Sequence, residues 1–153
     1  LEANIAYWHT LKADTQEKWE NILQCYNHLL VLEYSPIIAL NRTYALAKVK
    51  GNAVAIVEAE KLSLENNHFY FTLLGELYKD MDKGKAKMNF VKALVLAKTH
   101  TDKQTIQKKI DHLQIVEIQK PGFWVDPKTA SFPKFWITRM TKLAHDERRK
   151  HPR

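Results

Sequence analysis

The scarcity of helix-breaking residues in the first three quarters of the chain constrains its fold more than any other feature. That stretch has one proline, Pro36, and three glycines, Gly51, Gly75 and Gly84. Proline and glycine are the residues that most often interrupt regular structure, so their near absence favours helices. The sequence therefore predicts a helical domain over residues 1–118.

Apolar side chains recur at the three-four spacing of amphipathic helices through most of this domain. Trp19, Ile22 and Tyr26 show the spacing most clearly, in the second helix. The fifth helix is apolar almost all round and should be central. The first five helices are expected at about 1–12, from Asp14 to just before Ser35, and at about 36–50, 52–62 and 68–79. The sixth helix should follow the turn at 82–84, and the seventh should begin at Thr101.

Side chains that cap helices mark several of these starts. Asp14 with Glu17 and Thr101 with Gln104 have the spacing of capping boxes, which predicts that Asp14 and Thr101 are the capping residues. Ser35 followed by Pro36 is the usual opening of a helix, because the missing N–H of proline needs no partner in the first turn.

A shift of about 32 residues places the third helix on the fifth and the fourth on the sixth, a period typical of helical arrays. Leu74-Gly75, Tyr78, Ala86, Phe90 and Ala93-Leu94 follow the tetratricopeptide order of Leu-Gly, Tyr, Ala, Phe and Ala. Gly75 and the alanines would let paired helices approach closely. We therefore predict an all-α fold of antiparallel helix pairs, a tetratricopeptide-like right-handed array of about six to seven helices. An ordinary bundle with small residues at its crossings is the alternative.

Several stretches, read in order, carry a closer resemblance. They are residues 1–6, Trp19 with Ile22 and Tyr26, Ser35-Pro36 with Ala39-Leu40-Asn41-Arg42, Tyr44-Ala45-Leu46-Ala47 with Gly51, residues 68–75, and residues 93–97. Together they resemble the C-terminal extension of a group of extracytoplasmic-function (ECF) sigma factors of bacterial RNA polymerase. The Ser-Pro-x-x-Ala-Leu-Asn-Arg segment is the most specific piece, and the resemblance ends near residue 115.

The resemblance implies an accessory protein-interaction domain in the bacterial cytoplasm, which supports or regulates transcription initiation. Its partners would be other sigma-factor domains or RNA polymerase. The promoter-reading domains that precede the extension in the family are not in this sequence. Leu1 is not an initiator residue, so we expect the chain to be either a fragment or a processed product.

Four residues are candidates for partner contact: Asn41, Arg42, Tyr44 and Tyr70. Asn41 and Arg42 lie in an otherwise apolar helix, and asparagine is a mediocre helix former, so the pair needs a reason. One interpretation is a polar contact to a peptide or a sigma domain on the concave face. The other is that both side chains tie adjacent helices together by hydrogen bonds. The two tyrosines are aromatics at helical spacing, which more often form the core than a binding surface.

The net charge of +7 is concentrated in the tail, residues 119–153. The helical domain holds 15 Lys and Arg against 14 Asp and Glu, whereas the tail holds 9 against 3. In the tail we expect an irregular, proline-punctuated segment and then a basic helix from about 134 to 150. Its candidate contact residues are Arg139, Lys142, Arg148, Arg149 and Lys150. They support an alternative function, a nucleic-acid-binding accessory domain. A homodimerisation scaffold is a third possibility.

The sequence points away from catalysis. Its seven histidines form no i, i+4 pair and no His-Glu-x-x-His motif. The single cysteine, Cys25, reads as a small buried hydrophobe. Glu58 and Glu60 are two residues apart on one helix and so do not face each other. We expect no enzyme activity, cofactor or metal. No apolar run approaches the ~20 residues that a membrane span needs, so no membrane is expected as a partner.

Overall fold

The computed structural model describes residues 1–118, and of residues 114–118 it describes the helix only. Seven α-helices and no strands occupy this part of the chain, which confirms the predicted all-α fold. None of these helices is both long and apolar enough to cross a membrane. The helices are α1 (Glu2–Thr10), α2 (Gln16–Leu32), α3 (Pro36–Lys50), α4 (Asn52–Lys61), α5 (His68–Tyr78), α6 (Lys83–Leu96) and α7 (His100–Ile118).

Each helix packs against the next one along the chain. Because the connections are short, such neighbours run antiparallel and form helix pairs. One further contact joins α3 to α5, the first helices of two successive pairs. That contact is what stacked repeats require, since each repeat buries its surface against its neighbour. The predicted array of helix pairs is therefore confirmed, and α5, which contacts α3, α4 and α6, is central as expected.

Buried apolar side chains form three clusters along the array, one over α1–α3, one over α3–α5 and one over α6–α7. Tyr44 packs against both the first and the second cluster. Phe71 and Tyr78 pack against both the second and the third. Cys25 is half-buried beside the first cluster with a free thiol. The three clusters are thus linked into one continuous core.

The close approach of α5 and α6 depends on Gly75. A Cβ atom at this position would lie 2.5 Å from Cε1 of Phe90, so the ring rests directly on the α5 backbone. Phe90 is only 1% exposed, and Ala86 and Ala93 on either side of it are fully buried. The predicted role of small residues at this crossing is confirmed.

The cap of α2 differs from the prediction. Thr15, not Asp14, is the N-cap residue, and its hydroxyl accepts the backbone N–H of Lys18 at 3.3 Å. Asp14 is engaged elsewhere, because its carboxylate accepts the indole N–H of Trp19. Its other oxygen lies 3.5 Å from the Lys48 ammonium. A side chain that binds two distant partners cannot also cap the helix beside it.

The predicted cap of α7 is also shifted. The helix begins at His100, and the hydroxyl of Thr99 accepts the backbone N–H of Asp102 at 3.1 Å. The Thr99 hydroxyl also donates to the Asp102 carboxylate. Thr101 lies inside the first turn, where its carbonyl accepts from the Thr105 hydroxyl. The prediction of Thr101 as the capping residue was wrong. The pair of side chains three residues apart that caps α7 is Thr99 with Asp102, not Thr101 with Gln104.

The predicted tail domain and the five basic candidates within it lie outside the described residues. The handedness of the array stays a prediction.

Candidate interaction surface

Asn41 and Arg42 lie half-buried on α3, where both reach α2. The Arg42 Nε donates to the Asn27 side-chain oxygen at 2.6 Å. The Asn41 side chain hydrogen-bonds the hydroxyl of Tyr26, which is 5% exposed. Burial raises the pKa of this hydroxyl, and the Asn41 contact opposes the rise only in part. The two polar residues therefore join α3 to α2, and a role in partner contact stays a prediction.

The two candidate tyrosines lie in different environments. Tyr70 is 6% exposed and belongs to the cluster over α3–α5. Burial, with the nearby carboxylates of Glu60 and Glu65, raises the pKa of its hydroxyl. Tyr44 is half-buried, and its ring meets the Trp19 ring edge-on at a centroid distance of 5.4 Å. The structure thus places Tyr70 in the core and leaves Tyr44 partly accessible beside α2.

Charged and aromatic side chains gather around Tyr44. The Lys48 ammonium lies 5.5 Å from the centroid of the Trp19 ring and 5.8 Å from that of Tyr44. A cation over aromatic faces gains about 0.5–2 kcal/mol, depending on its exposure to water. The same ammonium pairs with the Asp14 carboxylate, so Lys48 links the start of α2 to the last turn of α3.

A second group of charges continues from Tyr44 across α5 to α7. Burial first, and then the charges of Asp14 and Glu76, raise the pKa of the Tyr44 hydroxyl, which therefore remains a hydrogen-bond donor at neutral pH. Glu76 has a side chain only 11% exposed, and it pairs with Lys79 at 3.2 Å. It also pairs with Lys109 of α7.

These side chains form one connected group, which we name the array strip. Its members are Asp14, Trp19, Tyr44, Lys48, Glu76 and Lys109. The strip runs from the start of α2 across α3, α5 and α7. Its two carboxylates and two ammonium groups balance, so it is not a phosphate-binding face. Trp19 lies in the core, whereas Asp14, Tyr44 and Lys48 are exposed or half-buried and are the members that a peptide or protein surface could reach.

Sequence reasoning found only Tyr44 among these residues. The repeat period of about 32 residues could have indicated the two ion pairs. Asp14 and Lys48 are 34 residues apart, and Glu76 and Lys109 are 33 residues apart, so each pair is separated by about one repeat. Opposite charges one repeat apart are expected to meet where successive helix pairs stack. The local motifs that guided the prediction do not contain that information.

The histidines and carboxylates of the described residues do not cluster as metal ligands would. No group of three or more His, Cys, Asp or Glu residues there could hold a metal ion. His68 and Asp102 approach each other at 3.7 Å and connect α5 to the start of α7. Burial, with the charge of Lys18, lowers the pKa of His9 to about 4. His9 is therefore neutral at physiological pH.

Comparison with known proteins gives one informative similarity. Over 117 residues the chain is 32% identical to an uncharacterized protein of Rhizobium meliloti (strain 1021). The match covers 74% of this chain and 28% of that protein, so the chain corresponds to less than a third of the relative's length. No family model matches the chain, and no solved structure matches it.

Proposed function

We propose that this chain is an accessory protein-interaction domain of a bacterial ECF-type RNA polymerase sigma factor, acting in the cytoplasm. It would support or regulate transcription initiation by contacting other sigma-factor domains or RNA polymerase. The observation that carries the proposal is the position of the most specific resembling segment. Residues 35–42 open α3, the helix that packs against α2, α4 and α5. The residues that carry the resemblance are thus central to the array.

The length of the relative supports a module within a larger protein. Only 28% of the Rhizobium meliloti protein is matched, so a segment similar to this chain exists there beside other sequence. A helical array with balanced surface charge and no described metal-binding cluster is suited to such a role. The array strip offers partly accessible polar and aromatic groups for the contact.

The proposal predicts direct binding to the transcription machinery. The full 153-residue chain would be immobilised and exposed to RNA polymerase core enzyme and, separately, to isolated ECF sigma domains, with binding measured by interferometry. We expect binding to at least one of them and a loss of about tenfold or more in Arg42→Ala and Lys48→Ala. Lys98→Glu, at an exposed position between α6 and α7 and outside the array strip, is the control and should bind normally. Thermal unfolding of each variant separates lost contact from lost fold, and no binding to either partner contradicts the proposal.

The excess positive charge of residues 119–153 favours a second candidate, binding to nucleic acid through the tail. Such binding should weaken steeply with salt because it releases counterions from phosphates. A full-length variant with Arg139, Lys142, Arg148, Arg149 and Lys150 changed to Gln would test it against duplex DNA. Loss of DNA binding in this variant, with sigma binding absent throughout, would favour the second candidate. Sedimentation of the same samples would reveal a homodimer.

A further inference from the structure

The charged side chains on the outward face of α6 are all positive. The helix contains four lysines and no carboxylate. Lys83, Lys85, Lys87 and Lys92 are all exposed. No ion pair joins any of them to a carboxylate within residues 1–113, whose side chains the structure describes. The positive charge on this face is therefore left for a partner to balance.

An apolar stripe runs through the middle of the same face. Met88, Val91 and Val95 are 52%, 44% and 79% exposed. Their i, i+3, i+7 spacing places them one above another on the helix. The opposite side of α6, which carries Phe90 with its flanking alanines, is buried against α5 and α7. The stripe thus faces away from the core.

Lysines border the stripe on both sides. At 3.6 residues per turn, Lys83 and Lys87 fall along one edge, and Lys85 and Lys92 fall along the other. The second pair is held close to the array, because Lys85 lies 5.2 Å from the ring centroid of Tyr78 and Lys92 lies 5.3 Å from that of Phe71. The face is therefore an apolar ridge between two rows of positive charge.

We propose that this α6 face docks an acidic amphipathic helix of a partner protein. The apolar side of such a helix would cover Met88, Val91 and Val95, as helices bind through anchors at i, i+3 and i+7. Glutamates or aspartates on its flanks would meet the two rows of lysines, which would steer the encounter and fix the register. This inference goes beyond the sigma-factor assignment and does not rest on it.

Charge complementarity selects this occupant over the others. The chain's own residues 119–153 carry nine Lys and Arg against three Asp and Glu, so they would repel the face. A second copy docked through the same face would set lysines against lysines. Helices that lie in a membrane surface bury a broad apolar side with Trp, Phe or Leu, whereas only Met and Val side chains form this stripe.

The full-length protein can be tested with a synthetic probe. The probe is a fluorescent peptide with Leu at i, i+3, i+7 spacing and Glu on both flanks. The control is a fluorescent peptide of the same composition in scrambled order. Fluorescence anisotropy would measure binding of each. We expect the patterned peptide to bind and Met88→Ser/Val91→Ser to weaken it by about tenfold. Lys83→Glu/Lys87→Glu should weaken it several-fold at low salt and less at high salt.

Two matched controls keep the result specific to α6. Val54→Ser/Val57→Ser changes apolar residues of α4 that are 44% and 54% exposed, and it should leave binding unchanged. Lys12→Glu/Lys50→Glu alters the net charge by the same amount at exposed sites elsewhere. The proposal is overturned by absent binding, by equal binding of the scrambled peptide or by insensitivity to the α6 variants. Preferential binding to phosphatidylcholine–phosphatidylserine vesicles would overturn it in favour of a membrane.

Discussion

At the scale of single residues, the fold depends on positions where a side chain has almost no freedom to change. Gly75 is such a position because the Phe90 ring occupies the space that any Cβ atom would need. Thr43 is another, since it is 1% exposed on α3 and its hydroxyl donates to the Ala39 carbonyl at 2.9 Å. A buried hydroxyl is tolerated there because the helix itself supplies the acceptor.

Substituting Gly75 by Ala should destabilise the protein despite the better helix propensity of alanine. The propensity gain is up to about 1 kcal/mol, whereas forcing a methyl group into a packed crossing costs about 1–3 kcal/mol. We expect a net loss of about 1–2 kcal/mol in urea unfolding. Gly84→Ala, at an exposed site in α6 where the added Cβ would meet only the Asp82 carboxylate at 3.3 Å, is the control and should cost less than Gly75→Ala. Equal effects at the two glycines would refute the packing account, and Phe90→Leu should partly relieve Gly75→Ala.

His9 makes stability depend on pH in a known direction. Its pKa is about 4 in the fold, against 6.5 for an unperturbed histidine, so the fold favours the neutral ring. The stabilisation is therefore full above pH 6.5 and is lost as the pH falls from 6.5 to 4. The loss is at most about 3–4 kcal/mol, since each unit of pKa difference is worth about 1.4 kcal/mol, and water around the half-buried ring lowers it further. His9→Gln should flatten this part of the pH–stability curve, as measured by urea unfolding at a series of pH values.

At the scale of helices, local patterns in the sequence predict most of the structure. The ends of α3 follow from Ser35-Pro36 and Gly51, and the order of seven helices follows from apolar periodicity. The caps of α2 and α7 were misplaced by one or two residues because neighbouring Thr and Asp side chains compete for the same backbone groups. Asp14 is removed from that competition by a local contact with Trp19 and a long-range contact with Lys48.

The cap of α7 gives a test at this scale. Thr99→Ala should cost about 1 kcal/mol of stability, because it leaves the backbone N–H of Asp102 without its hydroxyl acceptor. Thr101→Ala should stay within about 0.5 kcal/mol of the parent, since its side chain is exposed inside the first turn. Thermal unfolding followed by circular dichroism measures both. The reverse ranking would restore Thr101 as the cap.

At the scale of the whole molecule, the array is held together by contacts between successive repeats. The array strip was largely absent from the sequence prediction because its pairs join residues more than 30 positions apart. Apolar periodicity identifies which side of a helix is buried, but it does not identify the helix that covers it. A repeat period supplies that missing register, and the charge pairs follow from it.

The Glu76–Lys109 pair should therefore couple α5 energetically to α7. Both side chains are nearly buried, at 11% and 15% exposure, and Lys79 also reaches Glu76. Removing one partner leaves the other charge buried, so Glu76→Gln and Lys109→Met should each cost about 2–4 kcal/mol. The double variant should be less destabilised than the sum, with a coupling of about 1–3 kcal/mol. A parallel cycle on Lys61 and Glu58, an exposed pair within α4, should give a much smaller coupling because water screens the two charges. Additive losses in the first cycle would show that the stacking of repeats depends on apolar contacts alone.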